Sequence, residues 1–189
     1  MARGTARDDP LGRARDAQRE SKSVEFKEKF DPKSEGEWIE LIKDFAALAN
    51  SGGGIIVVGA KNGGAASGED VQPVLDLDGA TIADKVFSYT GDNFDGFSIH
   101  AVKRRGGTVA AIVVGGATEA PLVFQQPGQY TNARGKVKTA FTRGAAYFRH
   151  GAKSEPATSD DHREFIARRL AVVRDEWLGG IRKVVGRVP

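Results

Sequence analysis

The sequence predicts a mixed α/β fold: a central mixed sheet with helices packed on it, followed by a long C-terminal helix. Three observations predict it. From Glu37, the apolar residues Trp38, Leu41, Ile42, Phe45, Leu48 and Ala49 recur at spacings of three and four, the period of a helix with one buried face. The apolar run Ile55–Val58 follows a glycine cluster and has the length of a buried strand. The stretches "FSIHAVKRR" and "TVAAIVVGG" flank Arg105-Gly106-Gly107 and read as a hairpin. With 189 residues, 40% of them hydrophobic, the chain is long enough to bury a core of this kind.

Residues 1–19 carry arginine, aspartate, glycine and proline and almost no large apolar group. Such a segment offers little burial to offset the entropy of ordering, so a flexible basic arm is expected. Ser23–Lys27 alternates polar and apolar residues as a half-buried strand does. Asp31-Pro32-Lys33-Ser34 is the loop that hands over to the helix from Glu37, and Asn50-Ser51-Gly52 supplies that helix's left-handed exit.

The stretch "LANSGGGIIVVG" invites comparison with a phosphate-binding loop, but its element order is wrong for one. Phosphate loops run strand, glycines, helix, and the anion sits at the helix N-terminus. Here the order is helix, glycines, strand, so the glycines meet the end of a helix dipole that repels anions. Close backbone approach and a tight reversal explain them, and no nucleoside triphosphate is expected as a ligand.

Beyond Gly59 lies the soft loop "AKNGGAASGED". A helix is expected over about Gly79–Thr90 with Ile82, Val86 and Tyr89 on one face, and Asp76 and Asp78 read as a turn and a helix cap. After the hairpin, "TEAPLVF" reads as a short strand. Residues 125–140, rich in turn formers and lysine and without periodicity, read as a mobile basic loop. "AAYFRHG" reads as a final strand and "AKSEPATS" as a loop. Asp160 is positioned to cap a long helix over Asp161–Trp177, with Ile166, Leu170, Val173 and Trp177 marking its apolar face.

Composition narrows the function classes. The chain has no cysteine, so disulfides and thiolate metal sites are excluded and a reducing, cytoplasmic setting is expected. The longest apolar runs fall far short of a membrane span, no apolar h-region of a secretory signal follows the N-terminal arginines, and no membrane partner is expected. A net charge of +3 permits a nucleic-acid partner without demanding one. His100, His150 and His162 have no metal-ligand spacing, and no Ser/His/Asp set stands out.

Four pieces in order carry a resemblance: "ESKSVEFK" at residues 20–27, the helix end "AALAN" at 46–50, "GGGIIVVG" at 52–59, and "YFRHGAKS" at 147–154. In that order they resemble the Schlafen-type AlbA_2 domain, a family described as DNA-binding. The resemblance spans residues 20–158, leaving the arm at 1–19 and a basic amphipathic helix at 159–189. It implies a lobe that in larger Schlafen-type proteins is paired with a second around a nucleic-acid groove. In the nuclease branch, paired glutamates in this first motif and a later aspartate bind magnesium or manganese and cut RNA. Glu20 and Glu25 match those glutamates, as metal ligands and catalytic residues of a metal-dependent endoribonuclease. Hard carboxylate oxygens suit that work. Two residues five apart on one perfect strand would face opposite ways, so Glu20 must lie in a bend before the strand. The chain departs from the nuclease pattern where the third acid belongs, in Gly59-Ala60-Lys61-Asn62. The expectation is therefore a non-catalytic module without a cofactor, with the ribonuclease as the alternative.

A basic cluster supplies the binding signal. Arg134, Lys136, Lys138, Arg143, Arg149, His150 and Lys153 fall close together, interleaved with Tyr130, Phe141, Tyr147 and Phe148, and Lys22 and Lys27 are possible additions. Lysines follow a phosphate backbone, and aromatics stack on unpaired bases. With no recognition helix in evidence, weakly sequence-specific binding of DNA or RNA is expected. The C-terminal helix, where Arg163, Arg168, Arg169, Arg174, Arg182 and Lys183 outnumber Glu164, Asp175 and Glu176, or the hairpin edge at 97–114, is the expected surface of a homodimer. A protein-interaction or assembly module is the remaining reading.

Overall fold

A computed structural model describes residues 9–185, with side chains through Ile181. In chain order the elements are α1 (Pro10–Asp16), β1 (Val24–Lys27), α2 (Glu35–Asn50), β2 (Gly53–Val58), α3 (Gln72–Leu75) and α4 (Gly79–Thr90), then β3 (Phe97–Arg104) and β4 (Gly107–Gly115). Four short strands follow, β5 (Gly128–Thr131), β6 (Val137–Phe141), β7 (Tyr147–His150) and β8 (Lys153–Pro156), and then α5 (Ser159–Val185). The main sheet has the order β1-β2-β4-β3; β1 is parallel to β2 and the other pairings are antiparallel. The fold is thus the mixed sheet with packed helices and a long last helix that the sequence leads one to expect.

Strand parity sets the two faces of the sheet. Ile56, Val58, Ala110, Ile112 and Val114 pack under α2 and α4, with Phe45, Leu41, Ile42 and Leu48 of α2 filling the space. Val24, Phe26, Ile55, Val57, Val102, Val109 and Ala111 point to the other face. That second face is covered by α1, which corrects the expectation of a flexible arm over part of its length. Small residues suffice there: Ala14 is fully buried among the strand residues, and Ala17 packs beside it. The Arg104 guanidinium donates to the Ala14 carbonyl at 2.7 Å and to the Ala17 carbonyl, satisfying orphan acceptors at the helix end, and it lies 5.1 Å from the Phe26 ring. Residues 1–8 of the expected arm lie outside the described residues, as do the Arg182 and Lys183 side chains.

The glycine cluster is a packing device. A Cβ on Gly54 would lie 2.5 Å from Leu48 Cδ2 and 2.7 Å from the Ser23 carbonyl oxygen, so only glycine lets α2, β1 and β2 meet this closely. Asn50 completes the junction. Its fully buried amide donates to the carbonyls of Leu122 and Tyr147, both at 3.0 Å, and accepts from the Leu122 N–H at 2.7 Å.

Four further expectations are corrected. The stretch at 125–140 is no mobile loop: β5 and β6 form a hairpin laid against α2, with Phe141 stacked on Phe124 at 3.7 Å. The "AKSEPATS" stretch contains β8, paired with β7, whereas "TEAPLVF" contributes only a single bridge, Val123 to Ala146. Finally, α5 is capped by Thr158 rather than Asp160. The Asp161 N–H donates to Thr158 Oγ1 at 3.3 Å while Asp161 Oδ2 accepts from the Thr158 N–H at 2.7 Å, a reciprocal box that satisfies two donors at once.

Candidate functional site

Parity also decides what β1 can do. Val24 and Phe26 face α1, so Glu25 and Lys27 face α2 and meet Asp44 there. Lys27 Nζ lies 2.5 Å from Asp44 Oδ2 and 3.3 Å from Glu25 Oε1. The other Glu25 oxygen accepts from Arg149 Nη1 at 2.8 Å. Arg149 is fully buried and also donates to the carbonyls of Ser21 and Ala152 and to Ser154 Oγ, each at 3.0 Å. Ser154 in turn donates to Asp44 at 2.7 Å. Burial and the neighbouring Asp44 carboxylate push Glu25 above the usual carboxylate range, against the pull of Lys27 and Arg149. Burial alone would lower Lys27, but Asp44 and Glu25 hold it above its ordinary value, so it stays an ammonium.

These residues do not fit a divalent cation. Both Glu25 oxygens are engaged by cations, and the Lys27 ammonium sits between Glu25 and Asp44. Glu20 lies in the bend before β1, as the parity argument requires, but its carboxylate accepts the Phe26 N–H at 3.2 Å. Among the described residues no group of three or more His, Cys, Asp or Glu is arranged to hold a metal ion.

The basic cluster separates into two populations. Arg149 is withdrawn from any surface by its burial. Lys27 is largely buried in the same network. Lys138 donates to Glu40 at 2.7 Å, and its ammonium lies 5.6 Å from the Tyr130 ring. Partial burial would raise Glu40, but hydrogen bonds from Lys138, Lys43 and Tyr130 outweigh it and bring this carboxylate to about 2. His150 is held between Asp161 at 2.8 Å and Glu155 at 2.9 Å, and Lys22 pairs with Glu164 of α5 at 3.0 Å.

Arg134, Lys136, Arg143 and Lys153 form the second population. All four are exposed, and none has a carboxylate within ion-pair distance among the described residues. They do not form one patch. Arg134 and Lys136 occupy the tip of the β5–β6 hairpin, Arg143 lies beyond the opposite end of β6, and Lys153 starts β8. A five-residue strand spans about 17 Å, which separates Arg143 from the tip. Beside the tip is a cleft of about 350 Å³ between the hairpin, the end of β1 and the first turns of α2, lined by Lys27, Lys29, Phe30, Glu40, Tyr130 and Asn132 among others. The cleft was not legible in the sequence, because it forms only where the hairpin docks on α2, so closely that a Cβ on Gly36 would lie 2.5 Å from the Tyr130 ring.

A profile of the Schlafen, AlbA_2 family matches residues 20–158. No curated protein matches the chain at a significant level. Among solved structures the chain is similar to the DIP2311 protein from Corynebacterium diphtheriae, with 18% sequence identity and a TM-score of 0.46. The match covers 82% of this chain and 26% of that one, so this chain spans about a quarter of that structure's length.

Proposed function

The chain belongs to the Schlafen AlbA_2 family, and on that premise we propose that it is a nucleic-acid-binding module of weak sequence specificity. The observation that carries the reading is the pair Arg134 and Lys136, exposed and without carboxylate partners among the described residues, on the hairpin tip that continues from the cleft-lining residues Tyr130, Thr131, Asn132 and Ala133. A cation already paired to a carboxylate must break that pair before it neutralises a phosphate. A free one releases a counterion from the nucleic acid at no such cost. Lys29 and Asn132 add polar groups to the cleft beside the tip, and the backbone-following cations confer no base readout of their own.

An anisotropy titration of the chain with single- and double-stranded DNA and RNA at two salt concentrations tests the reading. With four free cations engaged, log K falls with log salt at a slope of about −3 for a single strand. No binding to any of the four at low salt removes the reading.

A further inference from the structure

The helix α5 turns its apolar stripe away from its own domain. Phe165 is buried against Ala146 and Phe148, Asp161 is buried at the cap, and Arg168 donates to the Asn50 carbonyl. At about 100° per residue these three share the side of α5 that faces the body. Ile166, Leu170, Val173 and Trp177 fall on the opposite side, within about 60° of one another. They are 57%, 63%, 42% and 67% exposed. A surface helix that served only its own domain would present this stripe to the core. The spacing of four, three and four is that of the apolar seam of a coiled coil.

We propose that this seam binds the same seam of a second copy of the chain, with the two helices antiparallel. The flanking charges select both occupant and direction. Arg169 and Glu176 lie on the same side of the seam. When Leu170 packs against the partner's Val173, and Ile166 against the partner's Trp177, Arg169 comes opposite the partner's Glu176. Two-fold symmetry makes that contact twice. Arg174, on the other side, comes opposite the partner's Ala167. In a parallel pair Arg169 would instead face the partner's Arg174, a like-charge contact. Glu176 has no ion-pair partner among the described residues. Arg169 reaches Glu119 at 3.0 Å, a surface pair that its long side chain can exchange for the new one. Gly179 and Gly180 interrupt the seam after Trp177, and Ile181, four residues beyond Trp177 and 39% exposed, takes its next position.

Sedimentation equilibrium of the full chain over a concentration series is the test. A concentration-dependent dimer is expected. Leu170→Glu combined with Trp177→Glu should give a monomer with unchanged far-UV circular dichroism, because both side chains are largely exposed, and with the thermal midpoint that the unmodified chain has when diluted to its monomer. Arg169→Glu and Glu176→Arg should each weaken the dimer by about tenfold or more, and the two together should restore it. A chain that stays monomeric at every concentration overturns the proposal, including one that instead binds anionic phosphatidylserine vesicles through α5. A dimer indifferent to the Leu170 and Trp177 changes overturns it as well. A dimer tightened by Arg169→Glu, or one that ignores both charge changes, overturns the antiparallel arrangement.

Discussion

Removing the Arg149 guanidinium would strand Glu25 in the interior with Lys27 as its one remaining cation. Breaking a buried pair from one side is far more damaging than never having built it. Arg149→Met should therefore lower the unfolding free energy by about 3–5 kcal/mol, read from a denaturant melt, and adding Glu25→Leu should recover part of the loss. An unchanged melt for the single variant would contradict the network. Asn50→Leu should cost about 2–4 kcal/mol in the same assay, because it leaves the Leu122 N–H and the Leu122 and Tyr147 carbonyls without their partner. At this scale the sequence is partly legible. The four motif pieces already contain Glu25, Lys27, Asn50 and Arg149, but nothing local tells a buried arginine from a phosphate-binding one. The pairing of Glu25 with Arg149 is a contact between residues 124 positions apart, visible only once β7 is placed against the end of α2.

The first turn of α5 is tied to β7 and β8 by a titrating link. Hydrogen bonds to Asp161 and Glu155 favour the charged imidazole and raise His150 above its ordinary value. Burial would raise Asp161, but the Thr158 hydrogen bonds and His150 outweigh it and lower it. A raised histidine contributes stability that is fully present below its unfolded value of about 6.5 and is lost as pH climbs through the folded value. A lowered aspartate contributes stability that is present above its unfolded value and is lost as pH falls through the folded one. The link is therefore strongest in mild acid. The thermal midpoint should fall as pH rises from about 6.5 through the raised histidine value. That fall should be flatter in His150→Gln, and equal slopes would show that the link contributes nothing. Solvent screening keeps the effect small, since His150 is partly exposed.

Among the elements, α2, α4, β2, β3 and β4 could be read from the sequence because each has a long apolar period of its own. The segments α1 and β5–β6 could not. The first buries alanines rather than large side chains. The second is exposed along most of its length and is anchored by Phe141, and by Tyr130 and Lys138 on Glu40, so neither carries a periodic signal.

Across the whole molecule, the cations divide into those paired within the fold and those free to meet a partner. Composition and motif order indicated a basic lobe of this family. They could not make the division, because it depends on which carboxylates the fold brings alongside each cation. Glu25, Glu40, Asp161 and Glu164 come from β1, α2 and α5, and each pairs with a cation that sequence alone leaves unpaired.

The most direct test is the salt dependence of oligonucleotide binding by Arg134→Ala/Lys136→Ala and by His150→Gln, compared with the unmodified chain. The account predicts that the double variant loses low-salt affinity and that its log–log slope on a single strand becomes shallower by about 1.4, while His150→Gln keeps both. A double variant that binds with unchanged affinity and slope, beside a His150→Gln variant that has lost them, would contradict it.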